Sequence, residues 1–188
     1  MDINDSTPTI LEHFIGQHDA VQQAIMGREY AYAEGEPFPN SLMVGPPGVG
    51  KTLLAKTIGH EMGVTCTEVL GQNLRDPCDL RGALVNAAHR DVLFIDESDE
   101  LPRPSQVLLY RALEDRRLFL TMGVFTKTGT SVALEDFTVQ LATNHESALL
   151  KPLRDRFSFT LRFTYYSVDE LTAILAQRVK ALGWSVPD

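Results

Sequence analysis

Eight consecutive residues, Gly45-Pro46-Pro47-Gly48-Val49-Gly50-Lys51-Thr52, carry the strongest chemical signal in the chain. They fit G-x-x-x-x-G-K-[ST], in which small residues let backbone N–H groups face phosphate oxygens, a lysine reaches the β and γ phosphates, and a hydroxyl ligates magnesium. The bland reading is a glycine turn with no ligand. The apolar run Val92-Leu93-Phe94-Ile95 ends in Asp96-Glu97. A carboxylate at the end of a central parallel strand stands where the ligand crevice of such a sheet opens, so Asp96 can hold a metal and Glu97 can polarise a water. The same pair could instead be solvated or cap a helix.

These residues need elements to hold them. Ser41 to Val44 predicts a short strand, the glycine turn follows, and Lys51 to Gly63 predicts a helix with Lys51 facing solvent at its start. A helix from about Asp19 to Gly35 places Val21, Ala24, Ile25 and Tyr32 on one side. Thr65 to Val69 predicts a strand with alternating side chains, Pro77 to His89 a helix, Val92 to Ile95 a buried strand, and Pro104 to Leu113 another helix. Leu118 to Met122 and Ser131 to Leu134 predict a hairpin, with Met122 and Phe125 near its tip as packing or docking residues. Val139 to Thr143 and Phe157 to Phe163 complete the strands, and Val168 to Leu182 predicts an amphipathic helix. Five parallel strands separated by helices imply a three-layer α/β domain.

Composition bounds the rest. The chain has 188 residues and a formal charge of −8, which favours one main domain and gives no support to direct wrapping of DNA. Cys66 and Cys78 have no zinc-like spacing and are too few for a disulfide scaffold. Cys66 is expected to be a small buried side chain. No basic, apolar leader opens the sequence and no apolar stretch approaches the roughly 20 residues that span a bilayer, so a cytoplasmic location with no membrane partner is expected. Disorder is expected in the first eight or so residues. His13, His18, His60, His89 and His145 show no metal spacing.

Beyond the phosphate loop and Asp96-Glu97, several segments point one way. They are Phe14-Ile15-Gly16-Gln17, Leu53-Leu54-Ala55, His60-Glu61-Met62-Gly63, Leu109 to Asp115, Pro152-Leu153-Arg154-Asp155-Arg156-Phe157 and Tyr165 to Leu171. In that order, from about Leu11 to Gly183, the chain resembles the large ATPase domain of AAA+ proteins, and among them the RuvB family of Holliday junction branch migration motors. The resemblance implies a P-loop NTPase of AAA+ type with a five-stranded parallel sheet and an inserted β-hairpin. Residues 1–163 would form the large domain with its N-terminal arm, and 164–188 the start of a truncated helical lid.

It also implies roles. ATP or ADP with Mg2+ would lie against Phe14, Ile15 and Gly16 at the adenine, and against Gly45, Pro46, Pro47, Gly48, Val49, Gly50, Lys51, Thr52 and Leu53 along the phosphates. Thr52 and Asp96 would hold the metal, and Glu97 would activate water. Asn144 would sense the γ-phosphate, although the same residue could cap a helix starting near Glu146 or Ser147. Arg156 matches the arginine finger that enters a neighbour's site, with Arg154 as a second choice; a solvated turn arginine is the plain alternative. The implied partners are further copies of the chain in a hexamer or other ring when the lid is present, a junction-recognition protein on the hairpin 118–134, and DNA reached through C-terminal parts or a partner.

Three departures from the family pattern stand out: Ser98-Asp99 after the acidic pair, adding negative charge beside the metal; Thr143-Asn144 at the end of the sensor strand; and a shorter hairpin. The expected function is ATP binding and hydrolysis that powers branch migration or related DNA remodelling. The rivals are a nucleotide-gated interaction module with little turnover and a loader or transposition-type regulator.

Overall fold

The computed structural model describes residues 7–120 and 130–184. Helix α1 (His18–Glu34) precedes strand β1 (Ser41–Val44), and the glycine loop leads into α2 (Lys51–Met62). Then come β2 (Cys66–Leu70), α3 (Pro77–Asn86), β3 (Val92–Asp96) and α4 (Arg103–Asp115). Strands β4 (Arg117–Leu120) and β5 (Thr130–Ala133) pair antiparallel as the inserted ribbon. Strand β6 (Thr138–Thr143), α5 (Lys151–Arg154), β7 (Phe159–Arg162) and α6 (Val168–Ala181) complete the order. The main sheet has five parallel strands in the order β2-β3-β6-β1-β7, as expected.

Period-two alternation divides the sheet between two cores. Leu42, Leu93, Ile95, Val139 and Leu141 face Leu80 and Leu84 of α3, Leu109, Ala112 and Leu113 of α4, and Leu153 of α5. Met43, Val92, Phe94, Ala142 and Leu161 face Ala20, Val21 and Ala24 of α1 and Leu54, Ala55 and Ile58 of α2. Strand β3 is apolar at four successive positions because helices cover both of its faces. This double burial fixes its register, and with it the place where Asp96 emerges.

Local chemistry sets the helix ends. Asp76 caps α3 by accepting from the Cys78 N–H, with Pro77 in the first turn. Ser167 and Glu170 form a reciprocal capping box on α6. Helix α3 stops at Asn86 rather than reaching His89, because Ala87 is already extended and the N–H groups of Ala88 and Thr65 turn to the Asp91 carboxylate.

Other expectations need correction. Strand β2 lies at the sheet edge, where Thr67 and Glu68 are both exposed, so its side chains do not alternate cleanly. Cys66 is half-buried against Gly59 rather than fully enclosed. Tyr32 is exposed and uses its hydroxyl to donate to the Glu61 carbonyl at 2.6 Å instead of packing in the core. Helix α6 forms where expected, over Val168–Ala181; it buries none of its residues, and its apolar Val168, Leu171 and Leu175 are exposed. Met122 and Phe125, most of the hairpin tip, and the N-terminal segment expected to be disordered lie outside the described residues except for Thr7 and Pro8. No helix among the described residues is long and apolar enough to cross a membrane.

Candidate nucleotide site

Three adjacent strands deliver the chemistry to one crevice. Strand β1 runs into the glycine loop, β3 ends at Asp96, and β6, hydrogen-bonded between them, ends at Thr143 before Asn144. Their parallel direction places all three C-terminal ends on the same edge, where ligands of open α/β sheets bind.

The loop is shaped by close approaches. Gly48 and Gly50 have φ of 77° and 96°, which side chains rarely adopt. A Cβ on Gly45 would sit 2.6 Å from the Phe163 carbonyl, so that glycine lets β1 turn beneath the segment after β7. Gly50 caps α2, and the helix N-terminus adds its partial positive charge to the crevice.

Lys51 corrects the expectation of a solvent-facing side chain. It is 8 % exposed, and its ammonium donates to the carbonyls of Gly45 and Pro46, both at 2.7 Å, and to Asn144 Oδ1 at 2.9 Å. The side chain curls back under the loop because those acceptors satisfy the charge there. Burial lowers its pKa, and the charges of Asp96 and Asp99 oppose that shift.

Thr52 Oγ1 donates to Asp96 Oδ2 at 2.9 Å, and the Glu97 N–H donates to Asp96 Oδ1 at 2.8 Å. Both Asp96 oxygens are therefore oriented. Glu97 takes a left-handed φ of 49° and is exposed, and among the described residues its carboxylate has no hydrogen-bond partner. Gly71 permits this bend, because a Cβ there would lie 2.3 Å from the Glu97 carbonyl. Ser98 then donates to the Ala142 carbonyl, and Asp99 accepts from Thr143 Oγ1 at 2.8 Å. The additional acidic residue thus faces the end of β6.

The two possible roles of Asn144 separate here. The His145 N–H donates to Thr143 Oγ1, and the short turn Glu146–Ala148 has no side-chain cap, so Asn144 is not the cap. A cavity of about 340 Å3 is lined by Pro47, Gly48, Gly50, Lys51, Thr52, Leu53, Asp96, Glu97 and Asn144. A neighbouring cavity of about 230 Å3 shares Gly48, Gly50 and Leu53 and continues past Phe14, Ile15, Tyr166, Ile174 and Arg178.

Gly16 is buried with φ 72° and packs under Tyr166 rather than lining that second cavity. Arg154 and Arg156 line neither cavity. Arg154 meets Glu146 at 3.4 Å, and Arg156 pairs with Glu114 at 2.6 Å. No local pattern in the sequence gives Tyr166 a role of its own, yet its hydroxyl donates to the Val49 carbonyl at 3.0 Å and braces the loop. Burial raises its pKa above the ordinary phenol value.

The sequence model described as "Holliday junction DNA helicase RuvB P-loop domain" matches residues 6–163. The chain belongs to the RuvB P-loop family. It is 41% identical over 180 residues to the Holliday junction branch migration complex subunit RuvB of Parasynechococcus marenigrum (strain WH8102), covering 95% of this chain and 52% of that protein. It is also 41% identical over 169 residues to the RuvB subunit of Prochlorococcus marinus (strain MIT 9313), covering 89% and 48%. Among solved structures, the Thermotoga maritima RuvB Holliday junction branch migration motor aligns with a TM-score of 0.81 and 32% identity, over 95% of this chain and 55% of that one. The fold is thus that of a RuvB-type AAA+ P-loop NTPase. The chain spans about half the length of the curated RuvB relatives it matches.

Proposed function

We propose that the chain binds ATP with magnesium across the two joined cavities and hydrolyses it at the β–γ bond. The observation that carries this reading is the convergence of Lys51, Thr52, Asp96, Glu97 and Asn144 on one cavity at the helix N-terminus. The residues suit the ligand. A hydroxyl and one carboxylate, 2.9 Å apart, form an all-oxygen donor pair of the kind that holds Mg2+ together with substrate phosphates. Magnesium bound by Thr52 and Asp96 supplies neutralisation of phosphate charge.

The protein groups divide the remaining work. Loop N–H groups and Lys51 bind the phosphates, which replace the loop carbonyls and Asn144 as partners of the ammonium. Asn144, released from Lys51, donates its amide to the γ-phosphate. Glu97 accepts a proton from the attacking water and orients it. The adenine lies in the cavity of Phe14, Ile15 and Tyr166, with Leu53 between base and phosphates and Gly16 supporting the wall. Arg156 stabilises phosphate charge in a neighbouring subunit, with Arg154 as the second choice.

In this reading residues 1–163 form the large ATPase domain, a division supported by the span of the family match, and 164–188 begin a lid. Self-association in a ring, a junction-recognition partner on the hairpin 118–134, and DNA engaged through other parts or a partner complete the branch migration role. The relatives named as branch migration subunits support that setting. One observation favours a second reading, a nucleotide-gated interaction module with little turnover: Arg156 already pairs with Glu114 of its own chain, a contact that entry into another site must give up. Steady-state phosphate release with MgATP, in the chain alone and in assembled rings, tests between them. Turnover only in rings supports the motor, whereas binding without turnover in confirmed rings supports the module.

A further inference from the structure

Helix α2 carries Lys51 and Thr52 at its start and Glu61 one residue before its end. The Glu61 side chain is 8 % exposed and both of its oxygens are engaged. Oε1 accepts from the Leu11 N–H at 2.6 Å, and Oε2 pairs with Arg28 of α1 at 2.9 Å. Arg28 in turn meets Glu12 at 2.9 Å. Burial acts to lower the pKa of Arg28, but the pairs with Glu61 and Glu12 outweigh it and raise it. Glu61 is thus a buried carboxylate whose charge is matched by a fixed cation and a backbone donor.

What Glu61 holds is the arm that walls the apolar cavity. Leu11 is fully buried, and its carbonyl accepts from the Phe14 N–H at 3.0 Å. Fixing the Leu11 N–H therefore fixes the short turn Leu11–His13 and the direction in which Phe14 and Ile15 leave it. Both side chains line the cavity beside Gly50 and Leu53. A second rung from α2, the Thr57 hydroxyl, lies 3.1 Å from the Pro8 carbonyl. One rigid helix consequently spaces the phosphate cradle at its N-terminus from the arm docked along its C-terminal half.

We propose that Glu61, braced by Arg28, is a positioning residue that sets base affinity by holding Phe14 and Ile15 at a fixed distance from the phosphate loop. The proposal rests on the assignment of the Phe14 and Ile15 cavity to the base. Glu61 lines neither of the two joined cavities, so its effect falls on the base, through Phe14 and Ile15, and spares the phosphates.

The test compares MgATP with magnesium tripolyphosphate, which has the phosphates and no base, by calorimetric titration or displacement in the full 188-residue chain. Glu61→Ala is expected to weaken ATP binding about tenfold, equivalent to about 1.4 kcal/mol. Tripolyphosphate binding should stay within about twofold, as expected for an unchanged phosphate cradle. Glu61→Gln, which keeps a carbonyl acceptor for Leu11 but loses the charge facing Arg28, and Arg28→Met should show smaller losses of the same selective kind. Equal weakening of both ligands would overturn the proposal by showing general loosening of α2. Unchanged ATP affinity in folded Glu61→Ala, beside a wild type that prefers ATP, would overturn it while leaving the base cavity intact. A wild type that binds ATP no more tightly than tripolyphosphate would remove both the base assignment and the proposal.

Discussion

The guanidinium of Arg156 lies 2.6 Å from the carboxylate of Glu114 in the same chain, so the residue matched to a neighbour's phosphate already has an anionic partner. Their mutual hydrogen bond lowers the Glu114 pKa and raises that of Arg156. The proposed entry of Arg156 into another site would exchange this partly exposed pair for a phosphate. Surface ion pairs contribute little, which makes the exchange feasible.

That exchange predicts action in trans. In ring assemblies, Arg156→Ala should cut ATP turnover by about 10³-fold or more, with little change in binding. Mixing Lys51→Ala subunits with Arg156→Ala subunits should restore activity above either alone, once mixed rings are verified by mass. Full turnover in homogeneous Arg156→Ala rings would instead direct attention to Arg154.

The same pair has a pH signature. Because the folded Glu114 pKa lies below its ordinary value of 4.5, its stabilisation is complete above that pH and fades as pH falls through the lower folded value. Wild type should melt slightly above Glu114→Gln at pH 7. The gap should close in acid, as followed by thermal melts across the range. A gap that is constant down to the acid transition would mean that the carboxylate charge does not contribute.

Glu97 is exposed, and among the described residues no partner holds its carboxylate, while Asp96 is held by two donors; the roles proposed for them predict different effects of substitution. Glu97→Gln should keep MgATP affinity within about threefold and lower turnover by about 10²-fold to 10⁴-fold, the range of a general base. Asp96→Asn should weaken the response to magnesium instead. Single-turnover assays and magnesium titrations separate the two, and a Glu97→Gln chain with wild-type turnover would remove the assigned role.

The core that positions these groups has its own test. Phe94 is fully buried in β3, two residues before Asp96, against α1 and α2. Phe94→Ala should cost about 3–5 kcal/mol of stability in urea unfolding. A loss below about 1 kcal/mol would show that the strand is not packed as described.

The parts of this site that were legible in the sequence are those written in contiguous residues. Gly45 to Gly50 declares a loop because its glycines and prolines fit neither helix nor strand, and Val92 to Glu97 declares a buried strand ending in acid. What sequence did not disclose depends on partners brought together by the sheet. Lys51 turns under the loop to Asn144, 93 positions away, and Tyr166 reaches Val49 across 117. Neither separation leaves a local pattern. Tyr32 and the edge strand β2 deviated for a related reason: periodicity identifies an apolar face without saying which neighbour is there to cover it.

The most direct test is calorimetric titration of MgATP into the 188-residue chain beside folded Lys51→Ala. The wild type should bind one nucleotide, and removal of the ammonium should weaken binding by about a hundredfold, near 2.7 kcal/mol, with the circular dichroism spectrum unchanged. Equal affinity in the two folded proteins would contradict the assignment of Gly45 to Thr52 as the phosphate site.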